Sequence, residues 1–361
     1  GGGTIKCFVA NTITLNGTLS ANGVAGENGG AMVRAAGGGA GGSIWLQAAT
    51  ISGTGSITSN GGAGGAASYD GGGGAGGRIA LYYTSNSLSG TISAYGGAGS
   101  SSTSETGGAG IIYLKPSSDN GEIIIDNNNN ANTLIAKSPI DISTSVTLKN
   151  ITAGKKGIAE FFGTSQNMSI ASNLTNKNNG KILFRNNVGS FTCNSISATD
   201  SICFYNTGNV TLNCGNLSAS GYIKFYGSVF DINSTGNITF NSGLVFTANG
   251  YDRKLDISAT DITLNSGAEI NLTGNGFGPG EGTKPGVAAN SSTHGSGGGG
   301  NGGTGGYGGN DGTRFAAGGM SYGTLGDSII HPFTCGSGGG NNNSNAVKGG
   351  SGGGAVKIIA R

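Results

Sequence analysis

The sequence predicts an all-β chain, a parallel β-solenoid carrying ordered glycine-rich insertions. Three observations lead there. A strand-bearing unit recurs along the chain, apolar residues within it alternate with period two, and no stretch of the repeats has the 3.6-residue period of a helix. The 77 glycines far exceed the roughly 7% of ordinary proteins, yet strict Gly-X-Y spacing is absent and Pro numbers only 5, which removes collagen. Runs such as Ile44–Leu46, Ile79–Tyr83 and Ile123–Ile125 argue against disorder.

Residues 1–120 form a first region of glycine-rich repeats. The unit reads GGGTIKCFVANTITLNGTLSANG from Gly1, GGGAGGSIWLQAATISGTGSITSNG from Gly37 and GGGAGGRIALYYTSNSLSGTISAYGG from Gly72. Ile5, Ile44 and Ile79 anchor the copies, and Ile112 anchors a shortened fourth, GGAGIIYLK, at spacings of 39, 35 and 33 residues. The alternation Ile44-x-Leu46 and Ile51 to Ile57 marks half-buried strands. Glycine fixed at this density costs roughly 0.5–1 kcal/mol per residue relative to Ala. The tracts must therefore satisfy their peptide groups through neighbours, either as β-turns or as bundled polyproline-II-like strands. The sequence leaves both arrangements open.

Residues 121–274 form regular solenoid turns of 20 to 22 residues without glycine tracts. Laid under one another, they place Ile182, Ile202 and Ile223 in one column, Phe184, Phe204 and Phe225 in another, and Phe191 over Leu212. Such columns let each turn bury apolar surface against the next, about 4.8 Å away. Residues 275–361 are a glycine-rich insertion closing on Val356-Lys357-Ile358-Ile359, which repeats the first strand of the unit. The three regions read as one continuous solenoid. With no initiator Met or leader pattern, the sequence reads as a processed or partial chain.

The GGGAGG-x-I-x-L units, the ANG and SNG turns and the closing GSGGG…GGSGGGAVKI resemble the glycine-rich β-solenoid repeats of large secreted cell-surface proteins. The segments NVTLNCGNLSASG and DITLNSGAEINLTGNG are similar to repeats of filamentous-haemagglutinin-type adhesins. The resemblance implies a right-handed parallel β-helix, extracellular or at the cell surface, used for display, adhesion or fibre building.

Charge and motifs narrow the function. A net charge of +2 with 10% charged residues gives no reason to expect a nucleic-acid partner, and no run of 18 apolar residues offers a membrane span. Polysaccharide lyases and hydrolases also use β-helices, but their clustered acids are missing here, so the chain reads as non-enzymatic, with no catalytic residue, cofactor or metal. His294 and His331 offer no zinc spacing, and one loose calcium-type stretch around Asp311 reads as a turn-rich loop. Asn-x-Ser/Thr sequons such as Asn16 and Asn233 suit a secreted glycoprotein, although most read as accidents of an Asn- and Thr-rich chain. Cys193 and Cys214 occupy equivalent places on adjacent turns, either as a disulfide between turns or as a ladder of small buried residues, the second being preferred. Trp45, Tyr82, Tyr83, Tyr95, Tyr113 and Tyr226 could stack on surface glycans, but the preferred expectation is that most are solenoid-ladder or packing residues, with a glycine tract as a candidate cover for the face that carries Trp45.

The expected function is structural. Ile5, Cys7 and Val9 near one end and Val356 and Ile358 near the other form the expected assembly interface, through which subunits self-associate head-to-tail into a homopolymeric surface filament. The alternative is an adhesin or carbohydrate-binding stalk.

Overall fold

The structure is a computed structural model. It describes the chain apart from residues 31–33, 131–135, 143–145, 164–167, 186–189, 206–207, 228, 242, 249–252, 290–294, 302, 311–312, 322–333 and 343–346. The described residues are all-β, mostly in parallel strands, and contain no helix long and apolar enough to cross a membrane. His294, His331 and Asp311 lie outside the described residues. The chain forms two compact units: Gly1–Val188 with Thr192–Cys203 and Leu217–Gly221, and Gly189–Phe191 with Phe204–Asn216 and Tyr222–Arg361.

In the first unit the glycine-rich repeats form β1 (Thr4–Phe8), β2 (Thr12–Thr14), β3 (Thr18–Ser20), β4 (Ser43–Gly53), β5 (Ser56–Thr58), β6 (Arg78–Leu88), β7 (Ile92–Ser93) and β8 (Ile111–Pro116). β1, β4, β6 and β8 pair in parallel, and the four anchors Ile5, Ile44, Ile79 and Ile112 lie in register. β3, β5 and β7 make a small second sheet. Along β4, Ile44, Leu46 and Ala48 are buried, and the next buried residue is Ile51. Two outward residues in succession, Ala49 and Thr50, turn the strand through a corner, so that β2 pairs with its second half. Ile51, Ile57 and Leu81 are inaccessible to solvent and seal the core between the faces.

The glycine tracts take the second of the two arrangements left open. Their hydrogen bonds repeat every third residue, the period of a polyproline-II helix. Gly62 and Gly65 N–H donate to Gly39 O and Ala36 O at 2.8 and 2.9 Å, while Gly61 and Gly64 N–H donate to Tyr95 O and Ala98 O at 2.8 and 2.9 Å. Gly74 and Gly71 N–H return bonds to Gly62 O and Gly65 O. Two residues of each triplet thus face neighbouring strands and the third, Ala63 or Ala66, faces solvent. A Cβ on Gly61 would lie 2.0 Å from Gly74 O and one on Gly62 2.1 Å from Val24 O. This explains the GGA triplets: side chains are admitted only where no strand approaches.

At Ser117–Gly121 the chain reverses. β8 pairs antiparallel with β9 (Glu122–Asp126) through a turn in which Asp119 Oδ1 accepts the Gly121 N–H at 2.8 Å and Gly121 has φ +79°. The sequence reading of uninterrupted parallel stacking missed this hairpin, although Asp119-Asn120-Gly121 is a strong turn signal. Beyond it come β10 (Ser138–Asp141), β11 (Val146–Gly154), β12 (Ile158–Phe162), β13 (Met168–Asn176) and β14 (Lys181–Arg185). β9, β11 and β13 stack in parallel with Ile123, Ile151 and Leu174 in one buried column, and β10, β12 and β14 form a second parallel sheet. Phe161 and Phe184 stack at 5.4 Å. Three successive turns reuse one backbone geometry, with φ of 52° and 60° at Asn128 and Asn129, 44° and 64° at Lys155 and Lys156, and 52° and 62° at Asn178 and Asn179. They hydrogen-bond through Asn129 N to Lys155 O and Lys156 N to Asn178 O.

β15 (Ser190–Ala198), β16 (Ile202–Tyr205) and β17 (Val210–Ala219) contribute residues to both units. The second unit continues with β18 (Ile223–Phe225), β19 (Val229–Ser234), β20 (Asn237–Phe240), β21 (Gly243–Ala248), β22 (Lys254–Ala259), β23 (Asp261–Leu264), β24 (Ala268–Asn271), β25 (Gly308–Asn310), β26 (Thr313–Ala316) and β27 (Ala355–Ala360). Its parallel stack places Phe230, Leu255 and Val356 in one column and Ile232, Ile257 and Ile358 in another. Within each unit the expected register holds where a hydrogen bond marks it: Ile182 N–H donates to Ser201 O in the first, setting Ile182 beside Ile202, and Tyr226 N–H to Phe204 O in the second, setting Phe225 beside Phe204. Ile202, Phe204, Ile223 and Phe225 are all buried. The second glycine-rich region repeats the three-residue bonding, with Phe277 and Gly280 N–H donating to Gly336 O and Gly339 O at 3.0 and 2.7 Å.

Candidate functional site

The alternation that buries Ile44 and Leu46 turns Trp45 outward, where it is 39% exposed. Parallel in-register pairing repeats that geometry from strand to strand. The outward residues of β1, β4, β6 and β8 therefore line up as Lys6, Trp45, Ala80 and Tyr113, and beside them as Phe8, Gln47, Tyr82 and Lys115. Four rings form a connected ladder across the two columns. Phe8 meets Trp45 edge-on at 5.1 Å, Trp45 meets Tyr82 at 5.8 Å, and Tyr82 meets Tyr113 edge-on at 5.9 Å. Offset and edge contacts of this kind contribute about 0.5–1.5 kcal/mol each beyond area burial and hold the rings in fixed orientations.

Lys6 Nζ lies 4.8 Å from the Phe8 ring centroid and 4.6 Å from that of Trp45, a cation–π pair on the same face. Tyr113 donates its hydroxyl to Asn120 O at 2.9 Å, and burial raises its pKa above the ordinary phenol value. A depression of about 330 Å³ opens over Ala80, with Trp45, Tyr82, Tyr113, Lys6 and Arg78 among its lining residues.

Trp45, Tyr82 and Tyr113 do pack in a ladder, but among the described residues the glycine-tract cover considered for the Trp45 face is not there, and Phe8 beside Trp45 is 52% exposed. Sequence reasoning also passed over Phe8, Lys6 and Arg78. The signal that could have found them was already present, because the Ile5–Ile44–Ile79–Ile112 alignment places Lys6 beside Trp45, and Phe8 in one outward column with Tyr82 across Gln47. Tyr226, by contrast, packs face to face on Tyr205 at 4.5 Å.

The expected assembly residues fall on two separate strands. Ile5 and Cys7 point inward on β1 and pack against the core as partly buried residues, and Val9 is exposed just beyond it. Val356 and Ile358 extend the inward columns of the second unit onto β27, where they are 41% and 50% exposed. Cys193 and Cys214 are not bridged. None of the five cysteines forms a disulfide and four are buried, and burial raises the Cys214 pKa to about 11.

Acids scattered in the sequence meet at one place. Asp231, Asp256 and Lys357 lie in register, with Lys357 Nζ 2.9 Å from Asp256 Oδ2, and burial together with the Asp256 charge raises the Asp231 pKa. Among the described residues no three His, Cys, Asp or Glu side chains converge as metal ligands. No family model, curated protein or solved structure matches this chain.

Proposed function

We propose that this chain is a non-enzymatic carbohydrate-binding stalk displayed outside the cell, an adhesin whose glycan-binding face is the outer surface of β1, β4, β6 and β8. The observation that carries this reading is the ladder Phe8–Trp45–Tyr82–Tyr113, in which Phe8 and Trp45 are exposed and Tyr82 and Tyr113 half-buried. Aromatic faces held on a stiff sheet present C–H-complementary surface to pyranose rings at little entropic cost, because the rings are already ordered. Adsorption to insoluble polysaccharides tests it. The double variant Trp45→Ala/Tyr82→Ala is expected to lose at least about tenfold in affinity, as removing two stacking rings predicts, with an unchanged far-UV spectrum. Undiminished adsorption of that variant would overturn the reading.

A second reading, self-association into a filament, draws on the half-exposed Val356 and Ile358 of edge strand β27 and on Ile5 and Cys7 of edge strand β1 with Val9 just beyond it. Apolar strand edges template further pairing, and a heterologous contact propagates unless it closes a ring. Sedimentation of the protein and of Val356→Lys/Ile358→Lys tests it. Concentration-dependent growth abolished by the variant supports assembly, and a monomer at all concentrations rejects it.

A further inference from the structure

The carbohydrate face has a charge and a direction. Ala80 lies in register between Trp45 and Tyr113, so the column is interrupted by a gap one strand wide, with Tyr82 diagonal to it. Arg78 precedes Ala80 by two residues on the same face of β6 and is exposed. Its guanidinium makes no ion pair among the described residues, and the lining of the depression contains Lys6 and Arg78 but no carboxylate. Two uncompensated cations thus flank an aromatic slot.

The slot is the middle of a track. A second depression of about 230 Å³ shares Ser43, Arg78 and Ile111 with it and continues toward Gly41 and Gly76. A third of about 410 Å³ shares Tyr82 and continues to Thr84, Lys115 and Ser117. From Gly76 to Thr84 the track follows β6 for about 27 Å at about 3.3 Å per residue. That length suits several linked sugars rather than one.

We infer that the face takes a linear anionic polysaccharide lying parallel to the strands, with one pyranose seated over Ala80 against Trp45 and its carboxylate or sulfate group on Arg78. The inference rests on the carbohydrate-binding reading and adds the ligand's charge and orientation. Arg78 supplies a planar fork matched to either oxyanion, and Lys6 adds a point charge one strand beyond Trp45.

Trp45 is the only tryptophan of the chain, so its emission reports occupancy directly. Titrations would use three soluble probes of matched length: a polyuronate, a sulfated galactan and a neutral glucan. Either anionic probe is expected to quench Trp45 at least about tenfold more tightly than the glucan, an advantage that shrinks with added salt. Arg78→Ala should remove most of that advantage and Arg78→Lys about half of it on a logarithmic scale, with melting temperatures unchanged. Preference for the uronate or for the sulfated probe identifies which oxyanion is bound, and either outcome supports the inference. Equal binding of all three probes, insensitive to Arg78→Ala, would overturn it while leaving the carbohydrate-binding reading intact. If no probe binds and adsorption to insoluble glycans also fails, both fall.

Discussion

Gly62→Ala tests the glycine bundle at a crowded point. The new Cβ would lie 2.1 Å from Val24 O and 2.4 Å from Val24 C, against a comfortable separation of about 3.5 Å. The strand must retreat by more than about 1 Å, judged against that contact distance. Such a shift stretches the bonds from Gly62 N–H to Gly39 O and from Gly74 N–H to Gly62 O, both 2.8 Å. Two weakened hydrogen bonds cost about 1 kcal/mol each, and overpacking adds about 1–3 kcal/mol. The lower entropy of an unfolded alanine returns about 0.4–1 kcal/mol. The net loss is about 2–5 kcal/mol, or roughly 4–20 °C in melting temperature for a unit of this size. Ala63→Gly, one residue along at an exposed position, should cost only about 0.5–1 kcal/mol. Calorimetry of the two variants decides, and amide exchange gives an independent reading. Gly61, Gly62, Gly64 and Gly65 should exchange slowly and Ala63 fast, because only the first four amides are bonded. Equal destabilisation by the two variants, or protection without a three-residue period, would refute the bundle.

The Cys214 thiol, raised to about 11 by burial, ionises in the unfolded chain first. Its contribution of about 2–3 kcal/mol is therefore fully present below the ordinary thiol value of 9.0 and lost as pH rises toward 11. Cys214→Ala should flatten the alkaline limb of the stability profile measured by urea unfolding. Lys156, at φ 64° between turns that use Asn, carries left-handed strain. Lys156→Asn should gain about 0.5–1 kcal/mol in the same assay and Lys156→Val should lose about 1–2 kcal/mol.

The strand columns were legible because period-two alternation and repeat spacing act together. Once Ile44 is inward, Leu46 must be inward and Trp45 outward, and the repeated anchors set the register between strands. The bundle was less legible, because a glycine tract carries no side-chain pattern except the alanines. Ala63 and Ala66, three apart and both exposed, are the trace of the bonding period. The reversal at Asp119-Asn120-Gly121 was less legible because the shortened fourth copy is itself a rung in register with Ile79, and nothing in its pattern marks that its other edge pairs antiparallel, with Ile112 facing Ile124. The aromatic ladder needed one fact that composition could not supply, namely whether a tract covers that face.

The glycine bundles bear on temperature. Their interior consists of peptide groups bonded to one another, with almost no hydrocarbon to hide. Exposing apolar surface raises the heat capacity of an unfolding chain, and exposing polar surface lowers it. A bundle of this kind should therefore unfold with an unusually small heat-capacity increment per residue and a shallow stability curve. The hydrophobic drive that fades on cooling contributes little to it. The glycine-rich regions should keep their order in the cold where a comparably small apolar core would loosen.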